Sequence, residues 1–178
     1  MLQKLHHVAY RCNDARETVE FYSNAIGLRF AHALTADYVP SVKMYSPHIH
    51  IFFEMEDGSY IAFFEVPKSE PAQADPNTPS WVQHLALEVK DMDTLVAGKM
   101  RLQEHGVDVI GPIDHEFCHS IYFRDPSGHR LEMTCRTEQP GQLEQFAKDA
   151  YKVLDGWEQR KIEEHWPVRR RRRLVSAE

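Results

Sequence analysis

The chain has 178 residues, of which 42% are hydrophobic and 27% are charged, an ordinary balance for a soluble globular protein. This length suits one domain or two small modules packed together. The net charge of −6 disfavours nucleic acid as a general partner, and no apolar run approaches the roughly 20 residues that span a bilayer. The N-terminal residues lack the apolar stretch of a signal peptide, and the three cysteines lack metal-type spacing and fit reduced thiols. We therefore expect a cytoplasmic protein with no nucleic-acid or membrane partner.

The first half of the chain predicts the order β-α-β-β-β. Asp14, with Glu17 three residues later, has the pattern of a helix N-cap, and Gly27 ends the predicted helix. The Glu-Asp-Gly sequence at 56–58 lies between two apolar runs and predicts a β-hairpin. The predicted elements are a strand over 4–12, a helix over Ala15–Ala25, and strands over Leu28–Ala33, His48–Glu54 and Tyr60–Val66.

The second half repeats this order after a proline-rich stretch. Prolines, with Ser, Asn and Asp, make 68–80 a linker, and Asp125-Pro-Ser-Gly128 predicts a turn between two strands. The predicted elements are a strand over Trp81–Val89, a helix over Asp91–His105, strands over Val107–Ile110, Ser120–Arg124 and Arg130–Arg136, and a last helix over 141–165.

These elements define a domain and an appended segment. The domain covers 1–137 and holds module one at 4–67, the linker, and module two at 81–136. A C-terminal helix and a basic tail follow over 138–178. The tail contains five consecutive arginines, Arg169–Arg173. Runs of like charge are usually solvated and disordered, and the alternative is that the tail binds an anionic partner or a neighbouring subunit.

Two histidines open similar phrases in the two halves. The phrases are His7-Val-Ala-Tyr-Arg-Cys-Asn-Asp14 and His84-Leu-Ala-Leu-Glu-Val-Lys-Asp91, and each one leads into a predicted helix. A lone strand histidine is more often structural, but two at equivalent positions favour a shared site. Because a pseudo-twofold axis would relate the modules, we expect His7 and His84 to face each other.

Glu132 supplies a carboxylate to the same predicted site. It stands between Leu131 and Met133 in a strand, so it faces either solvent or a polar interior. Two imidazoles and one carboxylate form the facial triad that leaves coordination positions open on Fe(II). Open positions allow a metal to bind and activate a substrate. The sequence therefore predicts a metal site of His7, His84 and Glu132.

The repeated module order, the two histidines and the phrase Asp125-Pro-Ser-Gly-His-Arg-Leu-Glu132 resemble the vicinal oxygen chelate superfamily. That superfamily includes glyoxalase I, bleomycin resistance proteins and extradiol ring-cleaving dioxygenases, and the resemblance covers 4–135. It implies an α+β fold in which two tandem βαβββ modules form a curled mixed sheet around a metal cleft, plus a C-terminal helix. Duplicated chains of this family commonly dimerise, so the resemblance also implies a homodimer.

Tyr122 resembles a tyrosine of the extradiol dioxygenases that hydrogen-bonds a metal-bound catecholate. The same enzymes carry an acid/base histidine before that strand, where this chain has His115 and His119. His115 is the better match if the loop is shorter here. The resemblance thus implies catalytic roles for Tyr122, His115 and His119, with an imidazole moving a proton at the substrate.

Glu65 indicates a different chemistry. It lies in the last strand of the first module, which we take as the counterpart of the Glu132 strand. Glyoxalase I is similar in holding its metal with four side chains, one of them from this strand. Such a site favours Lewis-acid and proton-transfer chemistry, and Mn, Zn, Ni or Co would then fit as well as Fe(II).

The leading expectation is an extradiol-type dioxygenase, an oxidoreductase that uses Fe(II) on a catechol-type aromatic substrate. One alternative is a glyoxalase-like lyase or isomerase with Glu65 as a fourth metal ligand. The other is a non-catalytic protein that binds a small molecule.

Overall fold

The computed structural model describes residues 2–71 and 75–167, so Arg169–Arg173 lie outside the described residues. The chain divides into two compact units, 1–137 and 138–178, and the described part of the second contains α3 (Gln142–Glu163). Across the described residues, no helix combines the length and apolarity that a membrane span requires. The elements of the first unit are β1 (His7–Cys12), α1 (Ala15–Glu20), a π-helical segment (Phe21–Ile26), β2 (Arg29–Val39), β3 (Met44–Glu54), β4 (Tyr60–Glu65), β5 (Leu85–Glu88), α2 (Met92–Glu104), β6 (Ile110–Asp114), β7 (Cys118–Arg124) and β8 (Arg130–Arg136).

Each half of the first unit builds its own four-stranded mixed sheet. The first sheet has the order β1-β4-β3-β2 and the second has the order β5-β8-β7-β6. In each sheet the opening strand runs parallel to the last strand of its module, and the remaining pairs are antiparallel. This confirms the predicted α+β fold of two tandem βαβββ modules followed by a C-terminal helix.

The predicted helix boundaries follow from capping side chains. The carboxylate of Asp14 accepts a hydrogen bond from the Glu17 amide at 2.8 Å, and that of Asp91 accepts one from the Thr94 amide at 2.9 Å. Each bond satisfies an amide that the first turn of a helix leaves without an intrahelical partner. Gly27 ends the π-helical segment with φ of 92°, a left-handed conformation that glycine adopts without strain.

Several predicted strand boundaries are wrong. The strand expected over Trp81–Val89 covers only Leu85–Glu88, because the Val82 amide bonds to the Pro79 carbonyl in a turn. The strand expected over Val107–Ile110 begins instead at Ile110, since the Val107 amide bonds back to α2. Strands β2 and β3 extend beyond their predicted ends as a long antiparallel pair.

One hydrophobic core is shared by both modules. Side chains alternate between the two faces of a strand, and one face of each sheet carries the buried apolar residues. These residues form a single cluster with those of the helices: Cys12, Tyr22, Ile51, Phe53, Ile61, Phe63, Leu87, Leu95, Leu102, Ile121, Phe123, Leu131, Met133 and Cys135. The opposite face of each sheet is turned away from this core. We call these the first face, which carries His7, and the second face, which carries Glu132.

One buried and one exposed polar contact join the two modules beside this core. The Tyr22 hydroxyl donates to the Asp125 carboxylate at 3.1 Å, and the Asn13 amide donates to the Ser127 hydroxyl at 3.0 Å. Burial raises the pKa of Asp125, and burial followed by the nearby Asp125 charge raises the pKa of Tyr22 well above its ordinary value. The Asp125–Gly128 turn is therefore both a hairpin turn and a bridge to the first module.

Candidate metal centre

A buried carboxylate and an imidazole meet on the second face. Glu132 lies in β8 with 8% of its side chain exposed, and its Oε2 is 2.9 Å from Nε2 of His84. His84 lies just before β5, the strand that pairs in parallel with β8. The parallel pairing brings these two residues together although 48 positions separate them in the sequence.

The hydrogen bond on the other side of the imidazole fixes which nitrogen faces Glu132. Nδ1 of His84 lies 3.0 Å from the Val82 carbonyl, which can only accept, so Nδ1 carries the hydrogen. In the neutral ring, Nε2 therefore presents a lone pair to the Glu132 carboxylate. Two acceptors this close require a cation between them or a proton on Nε2.

This donor set fits a divalent metal ion. Histidine ligands commonly donate their second ring N–H to a backbone carbonyl, as His84 does to Val82. Two ligand atoms at right angles, each about 2.1 Å from one ion, lie about 3.0 Å apart. The 2.9 Å between His84 and Glu132 matches that spacing.

Ser120 holds the second oxygen of the same carboxylate. Its hydroxyl donates to Oε1 of Glu132 at 2.5 Å, and Ser120 itself is fully buried. Because Oε1 is engaged by this donor, Oε2 is the oxygen available toward His84. The serine thus orients Glu132 as a ligand through one oxygen.

A tyrosine and a histidine stand next to this pair. Tyr122 is the cross-strand neighbour of Glu132, and its hydroxyl lies 2.8 Å from Nε2 of His115. Burial, and then the Glu132 charge, raise the pKa of Tyr122 above its ordinary value, so the phenol keeps its proton. The guanidinium carbon of Arg130 lies 4.5 Å from the centre of the Tyr122 ring. The second face therefore brings together His84, Glu132, Tyr122 and His115, as the sequence grouped them.

His119 is placed elsewhere. It alternates with Ser120 and Tyr122 along β7, so its side chain lies on the opposite face. Its Nδ1 is 3.3 Å from the Thr137 hydroxyl. Of the two histidines proposed as an acid/base group, His115 alone contacts Tyr122.

Glu65 is not the counterpart of Glu132, contrary to the sequence expectation. Ala86 of the second His phrase pairs with Glu132, whereas Ala9 of the first pairs with Ala62. Glu65 lies on the core side of β4 instead, and its carboxylate accepts a hydrogen bond from the Ala15 amide at 2.7 Å. Its observed contact is therefore with the first turn of α1, where a negative charge is stabilised by the helix dipole.

His7 lies on the first face, within a different cluster. Its ring centre is 6.3 Å from that of His50 and 6.0 Å from that of Phe52. Burial, together with the neighbouring His7, His48 and His32, lowers the pKa of His50 to about 4. Within residues 2–71 and 75–167, no group of three or more His, Cys, Asp or Glu side chains is placed to hold a metal ion. Of the predicted triad, one chain joins His84 and Glu132, and His7 stands apart from them.

Sequence reasoning missed Ser120 and Arg130. Both share the alternation of Tyr122 and Glu132, at two residues before Tyr122 and two before Glu132. The two-residue period of a strand was the available signal, since it places all four side chains on one face.

The comparisons with known proteins agree with this architecture. A family model described as the Glyoxalase/Bleomycin resistance protein/Dioxygenase superfamily matches residues 4–133. A curated relative, named "Putative ring-cleaving dioxygenase MhqA", of Bacillus subtilis (strain 168), is 28% identical over 140 residues. The matched region is 77% of this chain and 42% of that relative, so the chain spans less than half of the relative's length.

Two solved structures show the same fold. A glyoxylase/bleomycin resistance protein/dioxygenase domain from Frankia sp. EAN1pec aligns with a TM-score of 0.64 at 18% identity, covering 77% of this chain and all of that one. The fosfomycin resistance protein FosX from Listeria monocytogenes, in complex with Mn(II) and sulfate, aligns with a TM-score of 0.55 at 20% identity. That alignment covers 77% of this chain and 95% of FosX.

Proposed function

Because the chain belongs to the glyoxalase/bleomycin resistance protein/dioxygenase superfamily, we propose that it is a metal-dependent ring-cleaving dioxygenase acting on a catechol-type aromatic. The observation that carries this proposal is the second face, where His84 and Glu132 form a ligand pair beside the Tyr122–His115 contact. The name of the Bacillus relative supports it.

In this proposal each chain offers two ligand atoms to Fe(II) from its second face, Nε2 of His84 and Oε2 of Glu132. Bound iron supplies Lewis acidity toward the vicinal oxygens of a catechol and open positions for oxygen chemistry. Ser120 keeps Glu132 oriented, and the Val82 carbonyl keeps the lone pair of His84 on Nε2.

The adjacent side chains handle the substrate's protons. Tyr122 stays protonated because its pKa is raised, so its hydroxyl can donate a hydrogen bond to an anionic substrate oxygen. Nε2 of His115 lies within hydrogen-bond distance of that hydroxyl and serves as the group that takes up or returns a proton.

A second copy of the chain supplies the third ligand. The first and second faces are turned away from one shared core, so His7 and the His84–Glu132 pair of one chain open in different directions. In a symmetric dimer, the first face of one copy can cover the second face of the other, and the arrangement repeats at the second site. His7 of one copy would then join His84 and Glu132 of its partner.

Oxygen consumption tests the activity directly. The protein is loaded with Fe(II) under nitrogen, its iron content is measured, and catechols with different ring substituents are added with oxygen. We expect oxygen uptake with at least one catechol and none from the Glu132→Ala variant. A fully iron-loaded protein that consumes no oxygen with any of them contradicts the proposal.

Mixing two inactive variants tests the shared site. Alone, His7→Ala and Glu132→Ala each damage every site. If ligands come from two copies, a mixed dimer has one doubly damaged site and one intact site, so mixing restores metal binding and activity. If all ligands came from one chain, the mixture would stay as inactive as its components.

A further inference from the structure

Arg130 occupies the same face as the metal ligand pair. It precedes Glu132 by two residues in β8, so both side chains project from the second face. Its cross-strand neighbour in β7 is Arg124, and on the β5 side Leu131 pairs with Leu85, the residue after His84. Arg130 therefore lies across from His84 on the neighbouring strand and two residues from Glu132 along its own strand.

The guanidinium of Arg130 is oriented by an aromatic ring and not by a carboxylate. It lies over Tyr122, with 4.5 Å from the guanidinium carbon to the ring centre. In the part of the chain that the structure describes, Arg130 forms no ion pair, and its Nε is buried without a hydrogen-bond partner. The neighbouring Glu132 carboxylate is already engaged by His84 and Ser120.

A buried polar nitrogen without a partner is rare in folded proteins, so this donor is left for water or a ligand to satisfy. The guanidinium is a planar fork of N–H donors that matches the two oxygens of a carboxylate. Stacking on Tyr122 fixes the plane of that fork, so little rotamer freedom remains to be lost when an anion binds.

We propose that Arg130 binds a carboxylate carried by the aromatic substrate, so that the preferred substrate is a catechol carboxylic acid. Residues two apart in a strand lie about 6.6 Å apart, which is close to the length of one benzene ring with its substituents. A substrate with its vicinal oxygens at the His84–Glu132 pair can thus reach Arg130 with a carboxylate on the same ring. This inference rests on the proposed function, because it takes the catechol oxygens to bind at that pair.

The first arm of the test compares ligands on the Fe(II)-loaded protein under nitrogen. Dissociation constants of 3,4-dihydroxybenzoate and catechol are measured by calorimetry. We expect the carboxylated compound to bind about tenfold tighter or more, since a charge-assisted bidentate contact is added. Arg130→Met should remove that preference, so that the two compounds bind with the same dissociation constant, and Arg130→Lys should retain part of it. The matched control is Arg124→Met, because Arg124 is exposed and donates to the Gly128 carbonyl in the turn.

A second arm is independent of the metal. Benzoate is titrated into metal-free protein and followed by amide NMR shifts, with benzamide as the uncharged control. Loss of benzoate binding in Arg130→Met supports the anion site. If no catechol binds the iron-loaded protein, that result counts against the proposed function and leaves the anion site supported. Equal binding of 3,4-dihydroxybenzoate and catechol by the wild type, or benzoate binding that survives Arg130→Met, overturns the inference.

Discussion

Removing the Ser120 hydroxyl should weaken metal binding without removing a metal ligand. Ser120→Ala deletes the donor that lies 2.5 Å from Oε1 of Glu132. Ser120 and Glu132 are both buried, so water has little access to replace the lost hydrogen bond. A hydrogen bond to a charged group contributes about 1.5–3 kcal/mol. Loss of a group that orients a metal ligand typically lowers affinity about 10–100-fold, which is about 1.4–2.8 kcal/mol, so the two magnitudes agree.

The assay is competition for Fe(II) or Mn(II) against a fluorescent chelator, with urea unfolding measured in parallel. Ser23→Ala is the control, because the Ser23 hydroxyl is also buried but bonds to no group in the described structure. Ser120→Thr retains a hydroxyl and should recover part of the affinity. If Ser120→Ala binds metal within twofold of the wild type, the serine does not orient Glu132 and the reasoning is refuted.

Three further outcomes follow from the buried contacts. Tyr22→Phe should destabilise the fold by about 1.5–3 kcal/mol at neutral pH, because the buried Asp125 charge loses a hydrogen-bond donor. Tyr10→Phe is the control, since it removes a hydroxyl that has no hydrogen bond in the described residues. Equal urea midpoints for the two variants would contradict this prediction. Burial raises the pKa of Asp125 in the folded state, so the unfolding free energy of the wild type falls as pH rises from the unfolded-state pKa of this carboxyl through its folded-state pKa. The unfolding free energy of Asp125→Asn, measured relative to the wild type in paired urea titrations, should therefore increase over that pH range. A decrease would mean that the pKa of Asp125 is lowered by folding, contrary to this account. Glu65→Gln should leave the metal content unchanged, because the Glu65 carboxylate contacts the first turn of α1. Loss of the negative charge at that helix start should lower the unfolding free energy by up to about 1 kcal/mol. Loss of bound metal in this variant would instead support Glu65 as a ligand.

The module order and the local signals could be predicted from the sequence because they depend on near neighbours. Asp14 and Asp91 cap helices through amides three residues away, and the turn at 125–128 joins two strands directly. Their geometry is fixed within a few residues, so composition and spacing suffice.

The site was harder to predict because it depends on strand register. Glu65 and Glu132 both lie in the last strand of a module. Glu132 lies opposite Ala86, but the residue opposite Ala9, the counterpart of Ala86, is Ala62, three residues before Glu65. An odd offset moves a side chain to the other face of the sheet. Register is set by the whole sheet and by its packing on the helices, so it cannot be predicted from a short sequence motif.

The separation of His7 from His84 was likewise invisible in the sequence. The repeated phrases established that the two histidines are equivalent in their modules. They did not establish how one module packs on the other, which depends on the apolar faces that form the common core. Equivalence within a repeat therefore did not translate into proximity within one chain.

The common core also bears on how the duplicated halves can change over evolutionary time. Leu102 of α2 and Tyr22 of the π-helical segment are both fully buried in it, so each half forms part of the other's interior. A close-packed interior responds to a change of even one methylene group. Substitutions in one half of the core must therefore be matched by the other half, whereas the two outward faces lie outside this common interior. The halves of such a repeat are expected to diverge in the residues that meet ligands while their inner surfaces coevolve.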